Sequence, residues 1–422
     1  MINASITVKK DLFIACKKRH RYDAITLNAL IDGCDKLLSQ TNISQMKVSV
    51  YAGLKGTLNA IVNECLLEHL DEKKSDYLKV LQSEVSVNAV ITTATNIVVR
   101  ENLLKLAQSC GHFTEVLHSK AKEFENTVKV GRIGLQDYLP MTYGEEFEGY
   151  AYGVEKLKVQ LIQKANEFNQ NALGINELGS QSFFDQRLNE ESTAVLSELK
   201  QYRFRPFENL FDSVIGTSDL LLAHATVQAL STVIWKIARD VRMMCSGPRA
   251  GLCEITVPAV APGSSIMPGK LNPVIAEMVF TTVDQVDANH AGLSIAQKSG
   301  WLEGGHGSFV PLISLMNSCH LLSRTMNVFA DLCIKGITVN TTHNEKHASS
   351  SLALAKVLEI FTDKTTVDQV YEFAQTNRCS IEEAACKLKV LPESEIQDIL
   401  NINKLADVNQ IKKLLETYKH YL

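Results

Sequence analysis

The chain has 422 residues, of which 45% are hydrophobic and 21% charged, and its formal charge is −4 at pH 7. This length and composition are typical of a folded globular protein with two or three cores. Because the charge provides no basic surface, we expect neither nucleic acid nor an anionic membrane as a partner. The N-terminus has no apolar run typical of a signal peptide, and no stretch of about 18 apolar residues predicts a membrane span, so we expect a cytoplasmic protein.

The cysteine pattern argues against a metal site and against disulfides. The ten cysteines are scattered singly along the chain, and no two have the CxxC spacing. Scattered cysteines of this kind are typical of buried, reduced thiols in a cytosolic protein. No other cluster of metal-binding residues stands out, so we expect no metal.

Three regions follow each other along the chain. Residues 1–82 predict short helices in an N-terminal domain, which looks shortened. Residues 83–343 predict a central bundle of long helices that also serves for oligomerisation. Residues 344–422 predict a small C-terminal domain of short helices, one of which begins with a capping box at Ser380. The predicted fold class is therefore all-α.

The long helices of the central region are predicted from apolar spacing and from the distribution of proline. Long helices are predicted at residues 94–127, 144–170, 273–293 and 312–332. The first two segments contain no proline, whereas five of the nine prolines lie within residues 248–273 and mark a large loop. Steps of three and four residues place apolar side chains on one helical face. After residue 226 such a face comprises Val227, Leu230, Ile234, Ile237, Val241 and Met244.

A long loop separates two of these predicted helices. Its segment 263–273 reads GSSIMPGKLNP and combines hydroxyls, glycines, Lys270 and Asn272 next to a predicted helix start. Backbone N–H groups at a helix start and a lysine favour an anion, so this loop suits a carboxylate or phosphate beside a catalytic hydroxyl. A structural loop whose serines cap helices remains an equal alternative at this point. The pattern matches neither a hydrolase nucleophile elbow nor a Walker loop.

The segment GSSIMPGKLNP resembles the signature GSSxMPxKxNP of the aspartase/fumarase superfamily. The flanking segments SGPRAGLCEITVP and NPVIAEMV look more like aspartase than fumarase, as do residues 135–147 and 333–340. The resemblance extends from about residue 50 to the C-terminus. It implies an all-α homotetramer whose active sites combine segments of three subunits, and a reaction that needs no organic cofactor.

The resemblance also implies roles for individual residues. The family removes a proton and then an amine or hydroxyl from a succinate skeleton, so the small-molecule substrate is a dicarboxylate. Ser264 is implied as the base, and Lys270 and Asn272 as ligands of the substrate carboxylates, with Ser265 beside them. Glu277 matches a family glutamate that usually pairs with a histidine. Such a base needs donor groups where the carbanion charge develops.

Other family segments are altered. Ile133 and Gly134 stand where the family has Thr-His, so Glu277 lacks its histidine. Ser86 and Asn88 retain one hydroxyl and the amide of another segment, Thr57 only loosely matches a third, and residues 171–180 lack the family's glycine-rich stretch. Losing charge-assisted contacts weakens binding by roughly 1.5–3 kcal/mol each. We therefore expect a bulkier or less polar substrate than aspartate.

Three functions are compatible with the sequence. The first is a carbon–nitrogen lyase that eliminates ammonia or an amine from aspartate or an aspartate-like succinyl compound and gives fumarate or an analogue. The second is a carbon–oxygen lyase like fumarate hydratase. The third is a catalytically silent member with a structural or regulatory role, which the altered segments favour and the intact loop disfavours. His306, in a glycine-rich turn, is a further candidate for ligand binding.

Overall fold

A computed structural model describes residues 1–40, 55–70, 74–174, 186–216, 218–267, 269–304 and 308–422, without the side chains of residues 55–57, 74 and 186. Most of the described residues are helical, and the few strands are short. The predicted all-α fold class is thereby confirmed.

The helices include five of 23 to 37 residues among shorter ones. In chain order up to the first long pair they are α1 (Ile2–Lys18), α2 (Ala24–Ser39), α3 (Lys55–Glu68), α4 (Lys74–Ser83), α5 (Val87–Glu123) and α6 (Tyr143–Glu167). The middle of the chain forms α7 (Gln186–Lys200), α8 (Asp212–Ile215), α9 (Ser218–Met244), α10 (Val274–Ala296) and α11 (Val310–Leu332). The last are α12 (Thr341–Ser350), α13 (Ala355–Leu358), α14 (Lys364–Asn377), α15 (Ile381–Leu388), α16 (Glu393–Ile399), α17 (Ile402–Leu405) and α18 (Val408–Thr417).

The chain divides into two compact units. Unit 1 comprises Met1–Cys110, Lys156–Thr232 and Thr281–Thr325. Unit 2 comprises Gly111–Glu155, Val233–Phe280 and Met326–Leu422. Each of the five long helices contributes residues to both units. The sequence-based division into domains 1–82, 83–343 and 344–422 differs from these two units and stays a prediction.

The apolar stripe predicted after residue 226 lies on α9. Five of its residues are 0–1% exposed and Met244 is 3% exposed, as expected for the core-facing side of a packed helix. By length and composition alone α9 could also cross a membrane, a property that core helices share. The helix after the signature loop begins at Val274, one residue later than predicted, so Pro273 rather than Asn272 precedes its first turn.

Six short strands accompany the helices. They are β1 (Val128–Ile133), β2 (Gln136–Thr142), β3 (Gln170–Asn171), β4 (Arg205–Pro206), β5 (Ile255–Thr256) and β6 (Thr338–Val339). β1 and β2 form an antiparallel hairpin with a bulge near Gly131. Gly134 and Leu135, the two turn residues, both have positive φ, as the tight turns of two-residue hairpins require. This hairpin positions Arg132 and was not predicted.

The last helices of the chain share a hydrophobic core within unit 2. Its buried residues extend from Leu354 to Tyr418. Ser380 accepts a hydrogen bond from the backbone of Glu383, whose carboxylate accepts one from Ser380 N–H, which confirms the predicted capping box.

Candidate active site

The signature loop lies in unit 2 and closes on itself. The backbone N–H of Ser264 donates to the carbonyl of Lys270 at 3.0 Å, and this bond brings the two ends of the turn together. Gly269 within the turn has a φ of +77°, and a Cβ at Gly263 would lie 2.9 Å from the Lys270 carbonyl oxygen. Glycine is needed at both positions because a side chain would be strained at one and too close to the backbone at the other.

The hydroxyl of Ser264 has a specific environment in this turn. Its Oγ accepts hydrogen bonds from the backbone N–H groups of Ile266 at 3.2 Å and Met267 at 3.1 Å. N–H groups that point at an oxygen favour its negatively charged form, so they lower the cost of an alkoxide at Ser264. The same two bonds also close a local turn at Ser264.

The other polar side chains of the loop face solvent. Ser264 is half-buried, whereas Ser265, Lys270 and Asn272 are exposed. Their donor groups are therefore available to a ligand or to another protein surface. Pro268, within the signature, lies outside the described residues.

A buried ion cluster fixes the chain just before this loop. The carboxylate of Glu254 is 0% exposed and accepts a hydrogen bond from Arg132 at 2.5 Å. Nζ of Lys129 lies 3.7 Å from the same carboxylate and 2.7 Å from Glu146. Burial tends to lower the pKa of Arg132, but the hydrogen bond and the charge of Glu254 raise it overall. Two cations and two carboxylates thus compensate each other in the interior.

Neutral groups complete the surroundings of Glu254. The Tyr143 hydroxyl lies 3.5 Å from the carboxylate and donates to Asn344 at 3.0 Å. Burial, and then the charge of Glu254, raises the pKa of Tyr143 well above its usual range, so the phenol stays protonated. The amide of Asn344 donates to the backbone carbonyl of Glu254 at 2.9 Å. The backbone from which the loop departs is therefore firmly positioned.

Glu277 has an arginine partner. It lies in the first turn of α10, and Nη2 of Arg242 on α9 is 3.1 Å from its carboxylate. Both side chains are nearly half exposed. Arg242 was not singled out from the sequence, because its partner is 35 positions away and no motif connects them. The sequence predicted that Glu277 lacks the histidine that usually pairs with it in the family. Within unit 2, the guanidinium of Arg242 contacts Glu277.

A cleft of about 430 Å³ in unit 2 is rich in arginine. Arg132, Arg239 and Arg242 line it together with apolar side chains, Ser246 and Leu135 of the hairpin turn. Ile133, next to Arg132, is 66% exposed. Because Arg132 and Arg242 already pair with Glu254 and Glu277, Arg239 is the guanidinium of this cleft best placed to bind the carboxylate of a ligand.

The remaining predicted site residues lie in unit 1. Ser86 precedes α5, and its Oγ accepts a hydrogen bond from Ala89 N–H at 3.2 Å, which caps the helix. Asn88 is half-buried in the first turn of the same helix. The Thr57 side chain and His306 lie outside the described residues. Among the residues that the structure describes, no group of three His, Cys, Asp or Glu side chains could bind a metal ion.

Comparison with known proteins places the chain. The model of a lyase family matches residues 2–287, so the match begins near the N-terminus and not at about residue 50. The chain is 29% identical to an aspartate ammonia-lyase of Escherichia coli (strain K12), over 96% of this chain and 87% of the relative. It is also 29% identical to a class II fumarate hydratase of Helicobacter pylori (strain J99), over 96% of this chain and 90% of the relative.

A solved structure agrees with these relatives. The crystal structure of a fumarate lyase:delta crystallin from Brucella melitensis superposes with a TM-score of 0.90 at 28% identity, covering 96% of this chain and 90% of the other. Aspartase and fumarase are equally similar, so the narrower resemblance to aspartase stays a prediction. The chain belongs to this lyase family and to the aspartase/fumarase superfamily.

Proposed function

We propose that this protein is a lyase that eliminates an amine or ammonia from an aspartate-like succinyl compound, with Ser264 as the base. The observation that carries the proposal is the pair of backbone N–H groups on Ser264 Oγ. They supply part of the stabilisation that a serine alkoxide requires, in a loop with the family signature. Lys270 and Asn272 would donate to the substrate carboxylates on which the carbanion charge develops.

Elimination of water is the second candidate. The equal similarity to aspartate ammonia-lyase and to fumarate hydratase favours it as much as the first. Both reactions begin with the same proton abstraction and differ in the leaving group. The loop residues therefore serve either one, and the leaving group must be determined by assay.

The arginine cleft supports a substrate larger than aspartate. Polar Thr-His is replaced by Ile133 and Gly134, which leaves this part of the hairpin apolar and small. Arg132, Arg239 and Arg242 line the cleft beside it. We infer that the substrate has a bulkier amine substituent and that an arginine can bind an additional carboxylate on it.

An oligomer is part of the proposal. Ser264, Lys270 and Asn272 lie in unit 2, whereas Ser86 and Asn88 lie in unit 1, and the loop side chains face solvent. In the superfamily, segments of three subunits form each site. We therefore propose a homotetramer, and light scattering of the purified protein would test this oligomeric state. We also propose that the protein is cytoplasmic.

The activity test follows fumarate by its ultraviolet absorbance. The purified full-length protein is incubated with aspartate, malate and a series of N-substituted aspartates. Removing a general base costs about 10²–10⁴-fold in rate, so we expect Ser264→Ala to lower kcat by at least about a hundredfold. Ser349→Ala, an exposed serine of unit 2, is the matched control and should retain full activity.

The result identifies the leaving group as well. Product from an N-substituted aspartate alone would support the amine reading and the larger substrate, and product from malate would favour elimination of water. A flat trace with every succinyl compound, or full activity of Ser264→Ala, would overturn the proposal.

A further inference from the structure

Unit 1 contains a cavity whose lining includes no residue of the signature loop. An inner space of about 80 Å³ is lined by residues of α5, of α8 and of the start of α9, by Gln297 directly after α10, and by residues at the start of α11. An outer cleft of about 470 Å³ shares five of its lining residues. The shared residues are Asn96, Phe168, Phe207, Asp212 and Asp219.

The charges at this cavity are mainly negative. Asp212 and Asp219 lie at its exposed mouth, and Glu167 and Glu208 line the outer cleft. Glu167 is paired with Lys164 at 2.7 Å and Glu208 with Arg205 at 3.5 Å, so the remaining negative charge at the cavity is that of Asp212 and Asp219. A ligand of this cavity therefore gains from carrying positive charge.

The inner cavity offers hydrogen-bond acceptors. Gln297 is 7% exposed, and its Oε1 has no hydrogen-bond partner among the residues that the structure describes. The Thr92 hydroxyl donates to the Ser213 carbonyl at 3.1 Å, and the Asn96 amide donates to the Gln170 carbonyl at 3.0 Å. Because these donors are engaged by backbone, a ligand that supplies N–H groups fits better than one that needs them.

Aromatic rings form much of the wall. Phe168 and Phe309 are 4% and 6% exposed, and Phe207 is half-buried between the inner and outer spaces. The face of a phenylalanine ring attracts cations, and desolvation strengthens that attraction. No group of metal-binding side chains exists in the described part of the chain, so the charge pattern does not suit a metal ion.

We propose that this cavity binds an alkylammonium ion, whose charged head group contacts Gln297 and Asp219 among the phenylalanine rings. The small inner volume suits a head group with short substituents, and the outer cleft accommodates the rest of the ligand. The site uses none of the residues assigned to the elimination reaction, so this proposal does not depend on that function.

The direction of the Asp219 pKa agrees with this proposal. Partial burial, and then the charge of Asp212, raises the pKa of the Asp219 carboxyl above its usual value. A bound ammonium ion would oppose the effect of Asp212, as the charge of Lys164 already does in part.

The test compares three probes by calorimetry with the full-length protein. Propylammonium carries charge and N–H groups, tetramethylammonium carries charge without N–H groups, and butanol carries neither charge nor N–H. We expect propylammonium to bind more tightly than tetramethylammonium, and butanol to give no measurable heat. Binding of butanol as tightly as propylammonium, or no binding of propylammonium, would overturn the proposal without any variant.

Two variants locate the site. Asp219→Asn should weaken propylammonium binding by at least about tenfold, because it removes a charge-assisted contact. Gln297→Met should weaken propylammonium binding but leave tetramethylammonium unchanged, since only the first ion donates to Oε1. Asp284→Asn, an exposed aspartate of unit 1 outside the cavity, is the matched control. If both cavity variants bind propylammonium as the control does, the ion binds elsewhere and the proposal is wrong.

Discussion

The two units bury ionisable side chains in opposite ways. Unit 2 places Lys129 and Arg132 against the buried carboxylate of Glu254, so its interior contains opposite charges in contact. Unit 1 buries Lys9, Asp11 and His224 without comparable ion pairs in its described part. In each of these three the pKa is shifted toward the neutral form, chiefly by burial.

The partners in unit 1 are mostly neutral. Nζ of Lys9 donates to the amide oxygens of Asn59 and Asn63, both at 2.6 Å. His224 Nε2 lies 2.8 Å from the Ser318 hydroxyl, and its Nδ1 lies 3.0 Å from His290. Amides and hydroxyls satisfy hydrogen bonds but do not compensate a full charge.

This difference bears on function. Glu254 of the unit 2 ion cluster lies shortly before the signature loop in the chain, so buried ion pairs fix the backbone from which the loop departs. The neutral networks of unit 1 respond to pH, because ionisation of Lys9, Asp11 or His224 places an uncompensated charge in the interior. The stability of unit 2 should therefore depend on the ion pairs of Glu254, and the stability of unit 1 should depend on pH.

Glu254→Ala should have the largest effect. It leaves Lys129 and Arg132 buried without their shared carboxylate, and breaking a buried pair in this way costs about 3–5 kcal/mol. We expect that loss in the free energy of unfolding, measured by guanidinium denaturation. Glu345→Ala, an exposed glutamate of unit 2, should change it by less than about 0.5 kcal/mol. A loss in Glu254→Ala as small as in this control would show that the ion cluster does not stabilise the fold.

The second effect concerns acid and His224. Burial, and then the charge of His290, lowers the pKa of His224 to about 4, whereas an unfolded histidine has its ordinary pKa of about 6.5. Below the ordinary value the unfolded state binds the proton first, so the stability contributed by neutral His224 is lost as pH falls. From about pH 7 to about pH 5 this loss is about 2 kcal/mol.

The matched variant for this prediction is His224→Gln, which does not titrate and can bond to Ser318. Urea denaturation of both proteins at the two pH values gives the difference. The wild type should lose about 2 kcal/mol more than the variant over this range. Equal losses would show that folding does not lower the pKa of His224.

The sequence predicted the long helices but not the hairpin. Apolar steps of three and four residues identify α9 because one face is buried and the other is not. In β1 the residues Val128–Gly131 are all buried, so the alternation that indicates a strand is absent. The two-residue turn is Gly-Leu and lacks the Asn-Gly or Asp-Gly pattern that predicts hairpins.

For the candidate site, local motifs were predictable and distant partners were not. The loop 263–273 is contiguous, so its residues could be recognised together. Arg132 pairs with Glu254 across 122 positions and Arg242 with Glu277 across 35, and such pairs depend on how helices and hairpin pack. Charged residues at these positions otherwise look like solvated surface. The arginine cleft therefore required the structure.

The smallest effect concerns alkali and Lys9. Burial lowers the pKa of Lys9 to about 7, and an unfolded lysine has a pKa of about 10.4. Between these values the unfolded state binds one more proton, so the stability of the fold rises with pH. The gain is about 1.4 kcal/mol for each pH unit inside this window.

Lys9→Met isolates this gain, because methionine fills a similar volume and does not titrate. Asp11 on the same helix has a pKa shifted upward and titrates in both proteins, so its contribution cancels in the comparison. Urea denaturation at about pH 8 and about pH 9 should show the wild type gaining about 1.3 kcal/mol relative to the variant. A gain of zero would mean that Lys9 is charged inside unit 1 and that the two asparagines compensate that charge, which would remove the contrast with the ion cluster of unit 2.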